Sequence, residues 1–226
     1  MNITDPSIAE RRTAVIDAAS SAAKSANRAF EDINLVAVSK QQPDERIKDM
    51  LATEHRVFGE NRVQEAQVRW GDTFASHRKN IELRLIGPLQ TNKAEDACRL
   101  FDVIETVDRE KLLAALVKAA DKTGRMPRLY VQVNTGEEPQ KAGVLPADLP
   151  AFLNMMKDAY NLTPEGLMCI PPQNEAPSPH FWFLKNLAAE HGLTKLSMGM
   201  SSDYETAIKL GATSVRVGSA LFGERP

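Results

Sequence analysis

Eight short apolar runs alternate with amphipathic stretches along the chain. The run Leu35-Val36-Ala37-Val38 is β-branched and apolar, as expected for a parallel strand that is buried on both faces. The stretches between the runs have helical spacing, and this alternation indicates parallel strands joined by helical crossovers. Eight such units close a barrel. We therefore predict an α/β fold, a single (β/α)8 barrel of the TIM type, with strands over residues 35–39, 56–58, 83–86, 103–105, 129–133, 165–168, 195–198 and 214–217.

One further helix is predicted ahead of the first strand. Asp5 supplies an acceptor at the N-cap and Pro6 suits the first helical position, and the apolar residues of the alanine-rich stretch that follows fall on one face. Nothing resembles a linker between domains, so we predict one domain over 1–226, with 1–32 packing as a helix on the barrel. The longest irregular segment, 171–179, follows the sixth strand and is either a loop of the barrel's C-terminal face or a simple surface excursion.

Composition removes several classes of function. The chain has 226 residues, 42% apolar and 26% charged, with a formal charge of −2, so it offers no basic field to a nucleic acid. Cys98 and Cys169 form no C-x-x-C pair, and no metal-ligand spacing is present. The N-terminal residues lack the basic region and the apolar region of a secretory leader, and no apolar stretch reaches membrane-spanning length. We expect a soluble, cytoplasmic protein with no metal, nucleic-acid or membrane partner.

A lysine closes the first predicted strand. The ammonium of Lys40 must either reach solvent or sit in a pocket that uses its amine. In a closed barrel the first strand lies beside the eighth, so Lys40 faces the loops 199–202 and 218–220, where barrels commonly bind phosphate. An amine beside a phosphate site suits a phosphorylated aldehyde. A solvated lysine and ordinary turn glycines at Gly199 and Gly218 are the alternatives when each residue is considered alone.

Arg216 precedes the second of these loops on the eighth predicted strand. A guanidinium is always charged and only donates hydrogen bonds, so a pyridine nitrogen that faces it stays unprotonated. That would weaken the ring as an electron sink and would favour limited proton chemistry or none. Pairing of Arg216 with a helix carboxylate is the structural alternative.

Eight motifs span nearly the whole chain in a fixed order: AVSK (37–40), FGEN-x-VQE (58–65), IGPLQ-x-NK (86–93), QVN (132–134), QKAG (140–143), GLM-x-I (166–170), SMGMS-x-D (197–203) and VR-x-G-x-x-LFG (215–223). They closely resemble the pyridoxal 5′-phosphate homeostasis proteins of the YggS/PROSC family, and so many ordered motifs are far more specific than any one. The resemblance implies a barrel similar to the N-terminal domain of alanine racemase, with pyridoxal 5′-phosphate as the cofactor.

The resemblance also implies roles for individual residues. Arg62 stands where many relatives have an aromatic residue, so family detail on that side of the pocket is not carried over. The implied cofactor-binding residues are Lys40 as the covalent imine lysine, Arg216 at the pyridine nitrogen, Ser201, Gly218 and Ser219 at the phosphate, and Asn61 as a polar neighbour.

The function implied by the resemblance is cofactor homeostasis. Such a protein holds pyridoxal phosphate and supplies it to apo-enzymes that depend on it, without substantial turnover and with no assured catalytic residue. In alanine racemase a second domain contributes the acid/base tyrosine; because the chain ends at Pro226, we expect no such domain and a monomer. Two enzyme alternatives stay open: an amino-acid racemase with a minimal site, and a phosphosugar aldolase that uses Lys40 on its substrate.

The remaining polar and aromatic residues are assigned structural roles. Tyr204 is one acid/base candidate by position, although a place in the core is the stronger expectation. Carboxylates near a helix start suit the helix dipole, and dispersed histidines are expected to be solvated or capping. These assignments cover Glu60 and Glu65 at a helix start, His55, His77, His180 and His191, and Trp70 and Trp182 packed on the barrel exterior.

Overall fold

The computed structural model describes residues 5–224, so residues 1–4, 225 and 226 of the predicted domain lie outside the described residues. Eight parallel strands close a barrel in chain order, and β8 pairs back with β1. The predicted (β/α)8 barrel is confirmed. The strands are β1 Asn34–Val38, β2 Val57–Glu60, β3 Glu82–Leu85, β4 Val103–Val107, β5 Arg128–Gln132, β6 Gly166–Met168, β7 Lys195–Met200 and β8 Ser214–Val217.

Helices follow the strands and cover the outside of the barrel. Within residues 5–224, none of them combines the length and apolar character needed to span a membrane. A π-helical segment, Gln67–Thr73, continues α3. The α-helices are α1 Ile8–Ser25, α2 Asp44–Ala52, α3 Val63–Ala66, α4 Ala94–Leu100, α5 Glu110–Thr123, α6 Leu149–Tyr160, α7 Pro177–Glu190, α8 Tyr204–Lys209 and α9 Ser219–Phe222.

The first helix starts later than the sequence predicts. Ser7 is its N-cap, because the Ser7 hydroxyl accepts from the Glu10 N–H while the Glu10 carboxylate accepts from the Ser7 N–H at 2.8 Å. This capping box satisfies two backbone donors at once, so the N-cap role expected for Asp5 and the first helical position expected for Pro6 are wrong. α1 ends at Ser25 and packs its buried alanines and valine against α8 and α9.

Strand ends also differ from the prediction. β2 continues to Glu60, β4 to Val107 and β7 to Met200, each past the point where the apolar pattern stops. α7 begins at Pro177, so the irregular segment that was expected over 171–179 ends inside a helix. The longer strands carry charged and polar residues into the barrel wall.

The inside of the barrel is partly charged. Arg84 on β3 donates from Nη1 to Glu105 Oε1 on β4 at 3.0 Å and to the Ser214 hydroxyl on β8 at 3.1 Å. The other Glu105 oxygen accepts from the Ser197 hydroxyl on β7 at 2.6 Å. Neither β3 and β8 nor β4 and β7 are neighbours, so these bonds cross the interior. Charged groups therefore fill space that apolar layers occupy in other barrels.

Candidate functional site

A cavity of about 910 Å³ opens at the C-terminal ends of the strands, the end at which barrels carry their sites. Residues that follow six of the strands line it. The six residues that the sequence singles out, Lys40, Asn61, Ser201, Arg216, Gly218 and Ser219, all lie in this lining, together with the apolar side chains of Val38, Ile86, Ile170 and Met200.

Lys40 lies two residues beyond the end of β1, on a tight turn. The Gln42 N–H donates to the Ser39 carbonyl at 3.2 Å, and Gln41 adopts a left-handed conformation with φ of +57°. Lys40 is half-buried and lines the cavity. The structure thus has the lysine at the cavity, and chemical use of its amine stays a prediction.

Arg216 lies on β8 opposite Val36 of β1 and is buried. Its Nη1 donates to the Ser197 hydroxyl at 2.7 Å, and its Nη2 donates to the Cys169 carbonyl at 2.8 Å. The carboxylate beside it, at 4.0 Å, belongs to Glu105 on a strand, so pairing with a helix carboxylate is not what the structure shows. Two hydrogen bonds thus fix a guanidinium that also lines the cavity.

Ser201 joins the two loops that follow β7 and β8. Its hydroxyl oxygen accepts from the Gly218 N–H at 3.1 Å and from the Ala220 N–H at 3.4 Å. The hydroxyls of Ser201 and Ser219 and the backbone donors of residues 218–220 therefore gather at one edge of the cavity. Such a set of hydroxyl and N–H donors suits an anion.

The two glycines expected at these loops serve different purposes. Gly199 lies inside β7, where the pairing with β8 is irregular; it has φ of +93°, and a Cβ there would lie 2.5 Å from the Ala207 side chain, so the strand needs glycine at this position. Gly218 has φ of −114°, and a Cβ there would only touch Val38 at an ordinary 3.6 Å. Gly199 therefore shapes the strand, and Gly218 leaves the edge of the anion-suited loop uncovered.

Asn61 follows β2 and lines the cavity. Its backbone lies close to Gly87 in the loop after β3. A Cβ on Gly87 would overlap the Asn61 carbonyl oxygen. The loop after β3 can therefore approach the loop after β2 only because residue 87 is glycine. This glycine lies inside the IGPLQ motif, and the close approach is a physical reason for glycine at that position.

The sequence analysis misassigned a buried carboxylate. Glu60 is the last residue of β2 and is wholly buried, so it precedes α3 as expected, but its carboxylate is bound in the interior and does not serve the helix dipole. Its Oε1 accepts from the Ser39 hydroxyl at 2.7 Å, from Arg69 Nη1 at 2.9 Å and from Trp70 Nε1 at 3.1 Å. Glu65 lies in the first turn of α3 as expected. The signal available in the sequence was the charge of Glu60 directly beside the apolar residues of a strand.

The aromatic and histidine assignments are partly wrong. Trp70 packs on Phe58 of β2, with ring centroids 4.7 Å apart, whereas Trp182 is 59% exposed and does not pack as expected. His55 is buried against the Val57 carbonyl at 2.8 Å, and burial lowers its pKa to about 4. His180 is buried between the Thr135 carbonyl and the Glu175 carboxylate, so neither His55 nor His180 is solvated. His77 is exposed, and His191 is the C-cap of α7.

Two side chains that could take part in a reaction, Tyr204 and Cys169, do not line the cavity. Tyr204 packs in the core and is not among the residues that line the cavity. Burial raises the pKa of the Cys169 thiol to about 12, so it is a poor nucleophile near neutral pH. The part of the chain that the structure describes contains no group of three or more His, Cys, Asp or Glu side chains that could hold a metal ion.

Comparisons with known proteins agree with this architecture. The family model described as alanine racemase, N-terminal domain, matches residues 17–226. The chain is 39% identical over 219 residues to the pyridoxal phosphate homeostasis protein of Vibrio cholerae, and the alignment covers 91% of each of the two chains. The chain belongs to the pyridoxal phosphate homeostasis protein family. The resemblance seen in the sequence motifs is thereby confirmed.

Solved structures extend the comparison for this homeostasis-family member. PipY of Synechococcus elongatus was solved both without and with pyridoxal phosphate bound. The structure without it aligns at 37% identity with a TM-score of 0.84, and the structure with it at 36% identity with a TM-score of 0.83. Both alignments cover 96% of this chain and 100% of PipY. The alanine racemase of Streptomyces coelicolor aligns with a TM-score of 0.68 at 18% identity, over 94% of this chain and 59% of the racemase. At that identity the racemase shows the shared fold alone.

Proposed function

We propose that this chain binds pyridoxal phosphate in the cavity at the C-terminal end of the barrel and serves in the homeostasis of that cofactor. One observation carries the proposal: an amine, a buried guanidinium and a loop rich in anion donors line the same cavity. These are the partners that an aldehyde, a pyridine nitrogen and a phosphate require. The homology to PipY, which was solved with pyridoxal phosphate bound, supports the same assignment.

The donor set fits the cofactor group by group. Lys40 would be the covalent anchor for the aldehyde carbon, and Arg216 would donate to the ring nitrogen. The phosphate would lie against Ser201 and the donors of Gly218 and Ser219, while Asn61 would contact the ring's polar substituents. When bound, pyridoxal phosphate supplies a reactive aldehyde and an electron-withdrawing ring.

The lining supports a carrier more than a racemase. Racemisation by two bases requires an acid/base group on each face of the substrate carbon. Within residues 5–224, no tyrosine, histidine or cysteine lines the cavity, and Lys40 supplies the lining's one lysine amine. Because Arg216 can only donate, it would hold the ring nitrogen unprotonated and would limit the withdrawal of electrons from an amino acid. We infer that the protein holds and releases the cofactor with little or no turnover.

We infer three further properties that belong to this proposal. Apo-enzymes that depend on pyridoxal phosphate would receive the cofactor, and the protein would act in the cytoplasm. It would be a monomer, because within residues 5–224 the large exposed apolar side chains away from the cavity belong to separate segments of the chain, and single exposed apolar residues are normal on monomeric surfaces. These side chains are Val68, Leu145 and Trp182.

Covalent trapping tests the site. Apo-protein saturated with pyridoxal phosphate should gain one pyridoxyl mass after borohydride reduction, and peptide mapping should place it on Lys40. Lys40→Ala should lose this adduct together with the absorbance band of the lysine-bound cofactor, because no other residue would be the anchor. Lys48→Ala is the matched control, since Lys48 is an exposed lysine on α2 outside the cavity lining.

The outcomes separate the alternatives. No adduct in the wild-type protein, or an undiminished adduct in Lys40→Ala, would overturn the proposal. An aldolase would be trapped only when a sugar phosphate is added. A racemase would exchange the α-hydrogen of an amino acid with solvent deuterium faster than free cofactor does, whereas the proposed carrier should show no such excess.

A further inference from the structure

The turn that carries Lys40 is fixed by one side chain from outside the cavity. The guanidinium of Arg69 donates from Nη1 to the Ser39 carbonyl at 2.7 Å and from Nη2 to the Gln42 carbonyl at 2.8 Å. These two carbonyls bracket Lys40 and the left-handed Gln41. Arg69 is not among the residues that line the cavity. A single planar fork therefore ties together the two ends of the turn from behind.

The guanidinium is itself held by the buried carboxylate Glu60. Arg69 Nη1 donates to Glu60 Oε1 at 2.9 Å, and the same oxygen accepts from the Ser39 hydroxyl and from Trp70 Nε1. Asp44 lies 3.8 Å from Arg69 Nε and adds a second, weaker charge contact. Glu60 Oε2 is buried without a hydrogen-bond partner among the described residues, so this carboxylate is kept in the interior despite incomplete satisfaction.

The backbone that delivers Arg69 is irregular. Arg69 and Trp70 both lie in the π-helical segment Gln67–Thr73, and both reach the same Glu60 oxygen. Single π-helical turns are rare in proteins as a whole, but where they occur they often lie at functional sites. The irregular segment and the partly unsatisfied carboxylate are two separate features that converge on the Lys40 turn.

We propose that Arg69 is a positioning residue for Lys40, with Glu60 as its anchor; this rests on the proposed covalent attachment of pyridoxal phosphate. Bond formation between an amine and an aldehyde carbon depends on the position of the nitrogen. A displacement of about 1 Å can cost on the order of 100-fold in rate. By fixing the carbonyls on either side of Lys40, Arg69 limits where the Lys40 Nζ can go before the aldehyde arrives.

A purely structural role for Arg69 makes a different prediction. If Arg69 only neutralises Glu60, any cation at position 69 should restore the protein fully. Lysine retains the charge but is a point donor without the rigid fork that spans two carbonyls. Arg69→Lys should therefore be more stable than Arg69→Met, because it keeps the charge beside Glu60, without recovering the attachment rate.

The experiment compares three variants of the apo-protein. Arg69→Met removes the charge and the fork, Arg69→Lys removes the fork alone, and Arg78→Met is the matched control. Arg78 also donates to two backbone carbonyls, Leu100 and Ile81, and pairs with a carboxylate, but it does not line or border the cavity. We would measure the rate of covalent attachment after mixing with pyridoxal phosphate, borohydride trapping at Lys40, and the urea midpoint of unfolding.

We expect attachment to be slower by about tenfold or more in both Arg69 variants, with the urea midpoint of Arg69→Lys above that of Arg69→Met. Arg78→Met should lose stability and attach at the wild-type rate. A wild-type rate in Arg69→Lys would overturn the positioning role, and so would an equal slowing in Arg78→Met. Failure of the wild-type protein itself to attach the cofactor at Lys40 would instead remove the proposed function, and this inference with it.

Discussion

At the scale of single residues, Glu105 balances two buried guanidiniums. It lies 3.0 Å from Arg84 and 4.0 Å from Arg216 inside the barrel. Burial acts to lower the pKa of Arg84, but the carboxylates of Glu105 and Glu82 outweigh it and raise that pKa above its usual value. Removal of the shared carboxylate would leave the buried Arg216 without its carboxylate neighbour and Arg84 with Glu82 alone.

We predict that Glu105→Gln lowers the free energy of unfolding by about 3–5 kcal/mol, the usual cost of breaking a buried ion pair by removing one partner. Urea unfolding of the apo-protein near neutral pH measures the loss. Glu95→Gln is the control, because Glu95 pairs with Arg99 and Lys122 at the surface, where solvent screens the interaction. A loss in Glu105→Gln no larger than in Glu95→Gln would contradict the internal balance.

His55 makes stability depend on pH. Burial lowers its pKa from 6.5 to about 4, so between these values the unfolded chain binds a proton that the folded protein excludes. The stability contributed by neutral His55 is therefore present above pH 6.5 and is lost as the pH falls toward 4. The full effect amounts to about 3 kcal/mol.

We predict that His55→Gln has a flatter stability profile than the wild-type protein between about pH 7 and about pH 5. Unfolding by urea at a series of pH values gives the comparison. His77→Gln should keep the wild-type slope, because His77 is exposed. Parallel profiles for the wild-type protein and His55→Gln would show that another group causes the acid loss.

At the scale of elements, α1 depends on the capping box at its start. The Ser7 hydroxyl and the Glu10 carboxylate satisfy each other's backbone donors. We predict that Ser7→Ala lowers the free energy of unfolding by about 1 kcal/mol. Ser21→Ala, at an exposed position inside the same helix, should leave stability unchanged or slightly raised, because alanine is the better helix former there. Equal shifts for the two variants would argue against the cap.

The strands were predictable in existence and type, because apolar β-branched runs bounded by turn residues indicate buried parallel strands. Their ends were not. The apolar run behind β2 stops at Phe58, and the next two residues, Gly59 and Glu60, have low strand propensity. Arg69 and Trp70, which come from a later segment, together with the Ser39 hydroxyl, donate to Glu60 and make its burial tolerable. A single sequence does not reveal that these residues meet.

The location of the candidate site followed from topology rather than from local pattern. Closure of eight strands places β1 beside β8, and the observed register sets Val36 opposite Arg216. That one constraint was enough to bring Lys40 and the loop after β8 to the same mouth. The interior pairing of Arg84 with Glu105 was not predictable, because it depends on barrel diameter and side-chain direction, which strand spacing does not encode.

At the scale of the whole molecule, the two ends of the described chain support each other. β1 is completed by β8, and α1 packs on α8 and α9. Detachment of either end would open the barrel or expose the apolar faces of the helices packed there. Cooperative unfolding follows when no part retains a core of its own. We therefore propose one domain, including the leading helix assigned to residues 1–32.

We predict that this domain unfolds in urea as one cooperative transition. The chain has two tryptophans, so Trp182→Phe leaves buried Trp70 as the probe of the β2 side, and Trp70→Phe leaves exposed Trp182 on α7. Within each variant, the fluorescence midpoint should coincide with the midpoint from far-ultraviolet circular dichroism, which reports all helices. Each variant serves as its own comparison, because Trp70→Phe also removes a bond to Glu60 and should be less stable overall. A fluorescence transition that separates from the dichroism transition would reveal two units instead of one.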